Sequence, residues 1–379
     1  MNSRDRSGSN LELADRPRGG LRTLGGLSHA DFRAQRHFGS LDGLRALSIL
    51  AVIWHHTGAP AFAGPLNHLG SEGVTLFFAI SGFLITTLLL RERDRTGKID
   101  LRAFYVRRTL RIFPLYYAVL LLYLVLVLLL ERQSLAGQQF LGNLVYFLTY
   151  TSNWFVANDG RVIFYFAWSL AAEEQFYLLW PALLKGLRTT SRALALMLLA
   201  TLVLAGVEWA MSPAGSSPGS LSWFVSKLPW AIALGAIVGM ALHSEAGFRA
   251  LAPLLTARGA SVVWLMLVGL AAAMPETPRV IWHAALTGFV VSCVVNPRHW
   301  LAAPLAWAPI AYLGTISYGM YLLHMLAKNA AVKVFSKVGI DAGWPLLFVT
   351  TIVLSVVAAS ISFRYFESYF LSLKTRFER

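Results

Sequence analysis

Arg45 and His56 lie in one apolar stretch, 41-LDGLRALSILAVIWHH-56. A histidine eleven residues after an arginine could transfer protons there. On an α-helix, eleven residues correspond to roughly 16 Å along the axis and about 20° of rotation, so the two side chains share one face. Imidazole exchanges protons near neutral pH. The pair predicts a polar track inside a membrane. The structural alternative is an arginine and a histidine that each reach a membrane surface. Asp42, three residues before Arg45, is expected to pair with it.

Three arginines lie in a second stretch, 107-RRTLRIFP-114. Arg108 and Arg111 are three residues apart and share a helix face, and Arg107 adjoins them. Because guanidinium groups match phosphate oxygens, this set could hold a phosphorylated ligand. The alternative is that the arginines only anchor the cytoplasmic end of a membrane helix.

Two carboxylates, Glu173 and Glu174, interrupt the apolar run 168-WSLAAEEQFYLLWP-181. A charge facing lipid is costly, so at least one of them is expected to face a partner inside the protein. Adjacent helical residues point in different directions, and the sequence does not decide whether Glu173 or Glu174 faces inward. A carboxylate here could orient a catalytic imidazole and stabilise its charged form.

Ser317, Tyr321 and His324 are spaced four and then three residues apart in 314-GTISYGMYLLHM-325, which stacks them on one helix face. Hydrogen bonds between helices are the structural alternative to a catalytic role. The sequence carries no HxxxH or HExxH spacing, no glycine-rich phosphate loop and a single cysteine, Cys293. We therefore predict no bound metal.

The elements that must position these residues are membrane helices. Apolar residues make up 56% of the 379-residue chain and charged residues only 14%, which excludes an ordinary soluble protein. The net charge of +14 comes mostly from short loops between apolar runs, a pattern typical of cytoplasmic loops and not of a nucleic-acid-binding protein. We predict an all-α polytopic membrane protein embedded in a lipid bilayer.

About ten transmembrane helices are predicted, near residues 41–59, 73–91, 111–130, 165–184, 193–211, 228–243, 260–274, 279–296, 307–327 and 344–363. The basic loops place both termini in the cytoplasm, although Lys328, Lys333 and Lys337 would then lie outside. Residues 140–155 could be an extra span, a re-entrant segment or an interfacial helix. Residues 1–38 are expected to form a flexible basic tail, 39–367 the transmembrane domain, and 368–379 a second basic cytoplasmic tail.

In order along the chain, five segments resemble the membrane-bound acyltransferase family 3 proteins, bacterial enzymes that O-acylate carbohydrates and other hydroxyl compounds. The segments are 41-LDGLRALSILAVIWHH-56, 76-LFFAISGFLIT-86, 105-YVRRTLRIFPLYY-117, 168-WSLAAEEQFYLLWP-181 and 317-SYGMYLLH-324. Their order over about residues 39 to 367 makes the resemblance specific, although each segment alone would be weak.

The resemblance implies that Arg45 and His56 are essential and that Arg108 and Arg111 bind the acyl donor, usually acetyl-CoA from the cytoplasm. Arg107 is expected to assist, and Glu173 or Glu174 to support the site. The expected acceptor is a carbohydrate or lipid-linked glycan at the bacterial inner membrane. Some relatives carry an SGNH domain after the membrane part; the sequence ends at Arg379, and we expect none.

Two alternatives remain open at this stage. His56 could act as a general base toward the acceptor hydroxyl, or it could carry the acyl group transiently. The chain could also be a transporter that uses His56, Glu173 or Glu174, and His324 as a proton or substrate path. Transporters usually show a repeat between their two halves, and none is evident in this sequence.

Overall fold

The computed structural model of the chain describes residues 27–35, 37–58, 69–156, 162–211, 228–274, 277–374 and 377, and within these ranges it contains helices and no β-strand. The helices are α1 (His29–Ala34), α2 (Leu41–His56), α3 (Leu69–Thr96), α4 (Leu101–Leu126), α5 (Leu135–Gly142), α6 (Leu144–Leu148), α7 (Ser152–Phe155), α8 (Trp168–Gly186), α9 (Thr190–Met211), α10 (Trp230–His243), α11 (Glu245–Leu255), α12 (Ala260–Ala273), α13 (Arg279–Val295), α14 (Ala302–Leu305), α15 (Ala308–Thr315), α16 (Ser317–Lys337), α17 (Trp344–Ser362) and α18 (Ser368–Lys374). A 3₁₀ turn at Tyr165–Ala167 precedes α8, and π-helical turns at Val127–Glu131 and Phe363–Glu367 extend α4 and α17.

Each of the ten predicted apolar stretches coincides with helix. By length and composition, four helices in the described part of the chain can cross a membrane, and up to six if two bent pairs each count as one span. The bent pairs are α10 with α11, at 116°, and α15 with α16, at 77°. The fold is therefore that of a helical membrane protein, while the count of ten spans and the side of each terminus stay predictions.

Residues 140–155 do not form one continuous helix. They fall in α5, α6 and α7, which have eight, five and four residues. A span needs about 20 helical residues, so none of the three crosses a bilayer alone. Three aromatic rings of this segment instead pack inward, with Phe140 and Phe147 fully buried and Tyr150 7% exposed.

Helix α2 packs closely against its neighbours because glycines let them approach. A Cβ atom at Gly314 of α15 would lie 1.8 Å from the carbonyl oxygen of Asp42, and one at Gly43 would lie 2.3 Å from that of Leu305. Only glycine fits such contacts, and small residues are the usual means of close helix packing in membranes. The contacts hold the first turns of α2, which carry Asp42 and Arg45, against α15 and α14.

Helices α3 and α10 cross in the same way. A Cβ atom at Gly82 would lie 1.9 Å from the carbonyl oxygen of Ile232, and one at Gly235 would lie 2.5 Å from that of Ala79. Gly82 thus serves close helix packing, whereas its neighbour Ser81 turns to α8 and contacts a carboxylate there.

The described residues between 27 and 38 pack against helix ends, and the flexible tail expected over residues 1–38 stays a prediction. Arg91 of α3 donates hydrogen bonds to the carbonyl oxygens of Phe32 and Gln35, and its guanidinium lies 5.2 Å and 5.0 Å from the ring centroids of Phe32 and Phe38. The two rings supply apolar surface that a charge count of the segment does not reveal. Residues 1–26 of the expected tail lie outside the described residues.

A buried histidine in the loop after α13 holds the start of α2 in place. His299, 3% exposed, contacts the hydroxyl oxygens of Ser40 and Ser261 through Nε2 at 2.8 Å and Nδ1 at 3.2 Å. Burial lowers the pKa of His299 from 6.5 to about 4. The neutral ring thus joins the residue before α2 to the first turn of α12.

Candidate active site

An inner cavity of about 120 Å³ lies between α2, α3, α4, α8 and α16. It collects six of the residues that the sequence predicted for the site, namely Arg45, Arg108, Arg111, Glu173, Ser317 and Tyr321. Four further polar residues line it, namely Ser81, Ser169, Tyr177 and Tyr318. Segments far apart in sequence therefore form one polar chamber within the helical bundle.

A larger basic vestibule, of about 920 Å³, adjoins the inner cavity and shares Arg108 and Arg111 with it. Its charged lining residues are Arg91, Arg95, Lys98, Arg102, Arg107, Arg108, Arg111 and Lys374, with Glu92 and Asp100 as the acidic ones. A concave surface with this excess of cations attracts anions. The predicted topology places its mouth on the cytoplasmic side.

The arginines of the inner cavity differ in their partners. Arg45 donates to Asp42 at 2.8 Å, as the sequence predicted. The Arg108 guanidinium lies 4.8 Å from the centroid of the Tyr177 ring. Among the described residues, neither Arg108 nor Arg111 forms a hydrogen bond or an ion pair with another side chain, and Arg111 is exposed into both cavities. Their N–H groups are therefore available to an anionic ligand.

Arg107, the third predicted donor-binding arginine, is already paired. Its Nη2 lies 3.4 Å from Glu92 Oε2 and its Nη1 donates to the carbonyl oxygen of Phe377 at 2.8 Å. Arg107 lines the vestibule, but these bonds tie its guanidinium to protein groups. In the structure it joins the C-terminal segment to α3 and α4.

The two adjacent carboxylates have separate surroundings. Glu173 faces the inner cavity, where one carboxylate oxygen accepts hydrogen bonds from the hydroxyl groups of Ser81 and Tyr177. Glu174 does not line that cavity and lies instead near Tyr116 and Tyr150. Neither carboxylate contacts His56, so the structure does not support the expectation that one of them orients that ring.

The residue that orients His56 is His324. Its Nε2 lies 2.8 Å from Nδ1 of His56, and the two rings stack with centroids 4.9 Å apart. His324 is 0% exposed, whereas His56 is partly exposed, with the Tyr165 ring against its edge at 5.8 Å. His55, in contrast, is exposed and lies beside Gly70 of α3.

The hydrogen bonds determine which nitrogen of His56 is basic. His324 Nδ1 lies 2.6 Å from the carbonyl oxygen of Tyr321, and since a carbonyl can only accept, this nitrogen carries the proton. In the neutral ring, His324 Nε2 is then an acceptor, and His56 Nδ1 donates to it. The lone pair of His56 accordingly resides on Nε2. In this tautomer Nε2 can accept a proton, as a general base requires, while His324 holds the ring at Nδ1.

A second hydrogen-bond network lies at the wall of the inner cavity. The Tyr321 hydroxyl donates to the carbonyl oxygen of Phe166 at 2.8 Å and lies 2.6 Å from Ser169 Oγ. Ser169 Oγ also lies 3.3 Å from the same carbonyl oxygen, so the two hydroxyl groups and the Phe166 carbonyl form one hydrogen-bonded cluster. Both residues line the inner cavity, whereas His56 and His324 do not.

Sequence reasoning did not single out Ser169 and Tyr177, although a signal was present. Ser169, Glu173 and Tyr177 are spaced four and four residues apart, which places them on one face of α8. That spacing distinguishes Glu173 from Glu174, since only Glu173 lies on the polar face. Within the described ranges, no group of three His, Cys, Asp or Glu side chains could hold a metal ion.

Comparison with known sequences bears on this arrangement. The family described as "Acyltransferase domain", acyltransferase family 3, matches residues 38–364. The chain belongs to this family. The match to acyltransferase family 3 covers every residue of the inner cavity and both histidines, and it confirms the resemblance seen in the five ordered segments.

Two relatives of this acyltransferase carry names that mention a glycan. One, from Bacillus subtilis, is named "Putative peptidoglycan O-acetyltransferase YrhL" and is 27% identical over 355 residues, covering 88% of this chain and 54% of the relative. The other, from Listeria monocytogenes, is named "Peptidoglycan O-acetyltransferase OatA" and is 25% identical over 361 residues, covering 88% of this chain and 56% of the relative. The chain spans about half the length of these relatives. No solved structure matches this acyltransferase significantly.

Proposed function

We propose that this membrane acyltransferase is an O-acetyltransferase that moves an acetyl group from acetyl-CoA on the cytoplasmic side to a hydroxyl group of a carbohydrate or glycan precursor. The observation that carries the proposal is the arrangement of the polar groups. A basic vestibule leads to an arginine-lined cavity, and a histidine pair with a defined tautomer lies beyond that cavity.

The donor side follows from charge. Coenzyme A carries a diphosphate and a further phosphate, and the vestibule offers eight cations against two acids. Arg108 and Arg111 lie where the vestibule meets the inner cavity, so they would hold phosphate groups there while the narrower pantetheine arm extends inward. Arg45, at the same cavity, adds a third guanidinium.

The chemistry is assigned to His56 Nε2. As the acceptor oxygen bonds to the acyl carbon, this nitrogen takes the hydroxyl proton; the carbon–sulfur bond then breaks, and the CoA thiolate leaves and is protonated. His324 stabilises the imidazolium that forms, because His56 Nδ1 still donates to it. The same lone pair on Nε2 would be the nucleophile if His56 carried the acyl group, so quenching a turnover and searching for acetyl-His56 by mass spectrometry separates the two routes.

The acceptor is proposed from the relatives' names together with the predicted topology. We assign a glycan of the peptidoglycan class, or its lipid-linked precursor, reaching His56 from the side opposite the vestibule. The enzyme would act as a multi-pass protein of the bacterial inner membrane, with lipid as its surroundings and no nucleic acid as partner.

The test uses the full chain in proteoliposomes with acetyl-CoA labelled in the acetyl group, and with muropeptides freed of O-acetyl groups as the probe acceptor. His56→Ala should abolish transfer of label, whereas His55→Ala, which removes the exposed neighbouring ring, should retain it. Full transfer by His56→Ala would disprove the catalytic assignment. A transporter would move a solute without consuming acetyl-CoA, so label transfer by the wild-type protein decides against that alternative.

A further inference from the structure

Ser169 and Tyr321 line the inner cavity, whereas His56 and His324 do not. Ser169 and Tyr321 are only 4% and 5% exposed. The Tyr321 ring lies 5.7 Å from the His324 ring, so a side chain of the cavity wall contacts the histidine pair directly.

Aromatic side chains pack around Tyr321 at the cavity wall. The Tyr321 ring lies 6.2 Å from that of Phe77 and 5.8 Å from that of Phe166. Phe166 also packs against the imidazole of His324 at 5.2 Å. These side chains form an aromatic layer that reaches from the cavity wall to His324, and the Ser169–Tyr321 hydroxyl bridge is part of it.

Tyr321 touches both compartments through different atoms. Its hydroxyl group holds the bridge to Ser169 and Phe166, and its carbonyl oxygen holds Nδ1 of His324 at 2.6 Å. A movement of Tyr321 that opens the layer would therefore also move the carbonyl oxygen that holds His324, and with it the contact from His324 to His56. Closure of the layer and readiness of the base depend on one residue.

We propose that the Ser169–Tyr321 bridge is a barrier that decides whether the donor acyl group reacts with the acceptor hydroxyl or with water. The inference rests on the proposed function. With the bridge closed, water beside His56 is kept from the thioester, and acyl transfer takes place when the bridge opens with acceptor present. Ser169 and Tyr321 act as specificity-determining residues for the acyl acceptor.

A weakened bridge should allow a leak reaction. In that reaction a water oxygen bonds to the acyl carbon, the carbon–sulfur bond breaks, one proton goes to the CoA thiolate, and acetate and a second proton are released.

Tyr321→Phe removes both hydrogen bonds of the hydroxyl group but keeps the ring. Ser169→Ala removes the bridge and the 3.3 Å bond from Ser169 to the Phe166 carbonyl, and it leaves the bond from Tyr321 to Phe166. Tyr116→Phe is a matched control, because its fully buried hydroxyl donates to the Phe147 carbonyl at 2.8 Å away from the cavity.

The experiment measures CoA thiol release by the purified full chain in proteoliposomes, with and without de-O-acetylated muropeptides, and compares it with label transfer. Tyr321→Phe should raise the ratio of hydrolysis to transfer about tenfold, as the loss of two buried hydrogen bonds allows, with a smaller rise for Ser169→Ala and none for Tyr116→Phe. Unchanged acetyl-CoA affinity shows that the variants are folded.

The outcomes separate this inference from the function it rests on. If the wild-type protein transfers label and both bridge variants keep its hydrolysis-to-transfer ratio, the barrier is disproved and the proposed function stands. If the wild-type protein neither binds nor consumes acetyl-CoA, the proposed function fails and the barrier falls with it. If Tyr321→Phe does not fold, the Ser169→Ala ratio alone decides.

Discussion

Nε2 of His324 lies 2.8 Å from Nδ1 of His56, which joins α16 to the end of α2 across 268 residues of sequence. The geometry fixes the tautomer of His56, because the other nitrogen of His324 is committed to a backbone carbonyl. A histidine thus takes the position that carboxylates hold in many catalytic triads.

Replacing His324 should slow transfer without weakening donor binding. His324→Ala removes the acceptor that holds His56 in its tautomer, so the turnover number should fall at least about tenfold while the KM for acetyl-CoA is unchanged. His324→Gln keeps an oxygen acceptor near the same place and should restore part of the rate. Steady-state kinetics of both variants provides the measurement, and an unchanged rate in His324→Ala would assign the pair to packing alone.

The arginines should divide into binding and structural ones. Arg111→Ala and Arg108→Ala each remove N–H donors from the junction of the two cavities, so the dissociation constant for acetyl-CoA should rise about tenfold to a hundredfold. Arg107→Ala is the control, since Glu92 and Phe377 already occupy its guanidinium. Isothermal titration calorimetry tests this, and equal losses in all three variants would contradict the division.

The adjacent glutamates offer a matched pair. Glu173→Gln removes the charge that accepts from Ser81 and Tyr177 at the cavity wall, whereas Glu174→Gln alters a position outside it. We expect the first substitution to lower acyl transfer by about tenfold or more and the second to have a smaller effect. If label-transfer assays show the larger loss for Glu174→Gln, the functional carboxylate is Glu174 and not Glu173.

His299 should make the fold sensitive to acid. Its pKa in the folded protein, about 4, lies below the ordinary value of 6.5. Because the folded state disfavours protonation, stabilisation by the neutral ring is complete above pH 6.5 and is lost as the pH falls toward 4. Thermal unfolding in detergent between pH 4 and 8 should show this loss in the wild-type protein and a shallower slope in His299→Gln. If the wild-type protein and His299→Gln lose stability in parallel as the pH falls, a group other than His299 causes the acid sensitivity.

The helical class and most of the cavity were predictable because their signals are local. Helical spacing placed Arg108 with Arg111 and His324 with Ser317 and Tyr321, and the cost of intramembrane charge indicated that at least one of Glu173 and Glu174 faces inward. The partner of His56 was not predictable, since a contact over 268 residues depends on how α16 packs against α2. The pairing of Arg107 was hidden for the same reason, because Glu92 and Phe377 approach it only in the folded chain.

The distance in sequence between the two histidines also matters during biosynthesis. His56 emerges on the first long helix, whereas His324 follows 268 residues later, on α16. A nascent chain inserted up to α13 would already carry Arg108 and Arg111 but not the partner of His56. The histidine pair can therefore form only after α16 has been inserted.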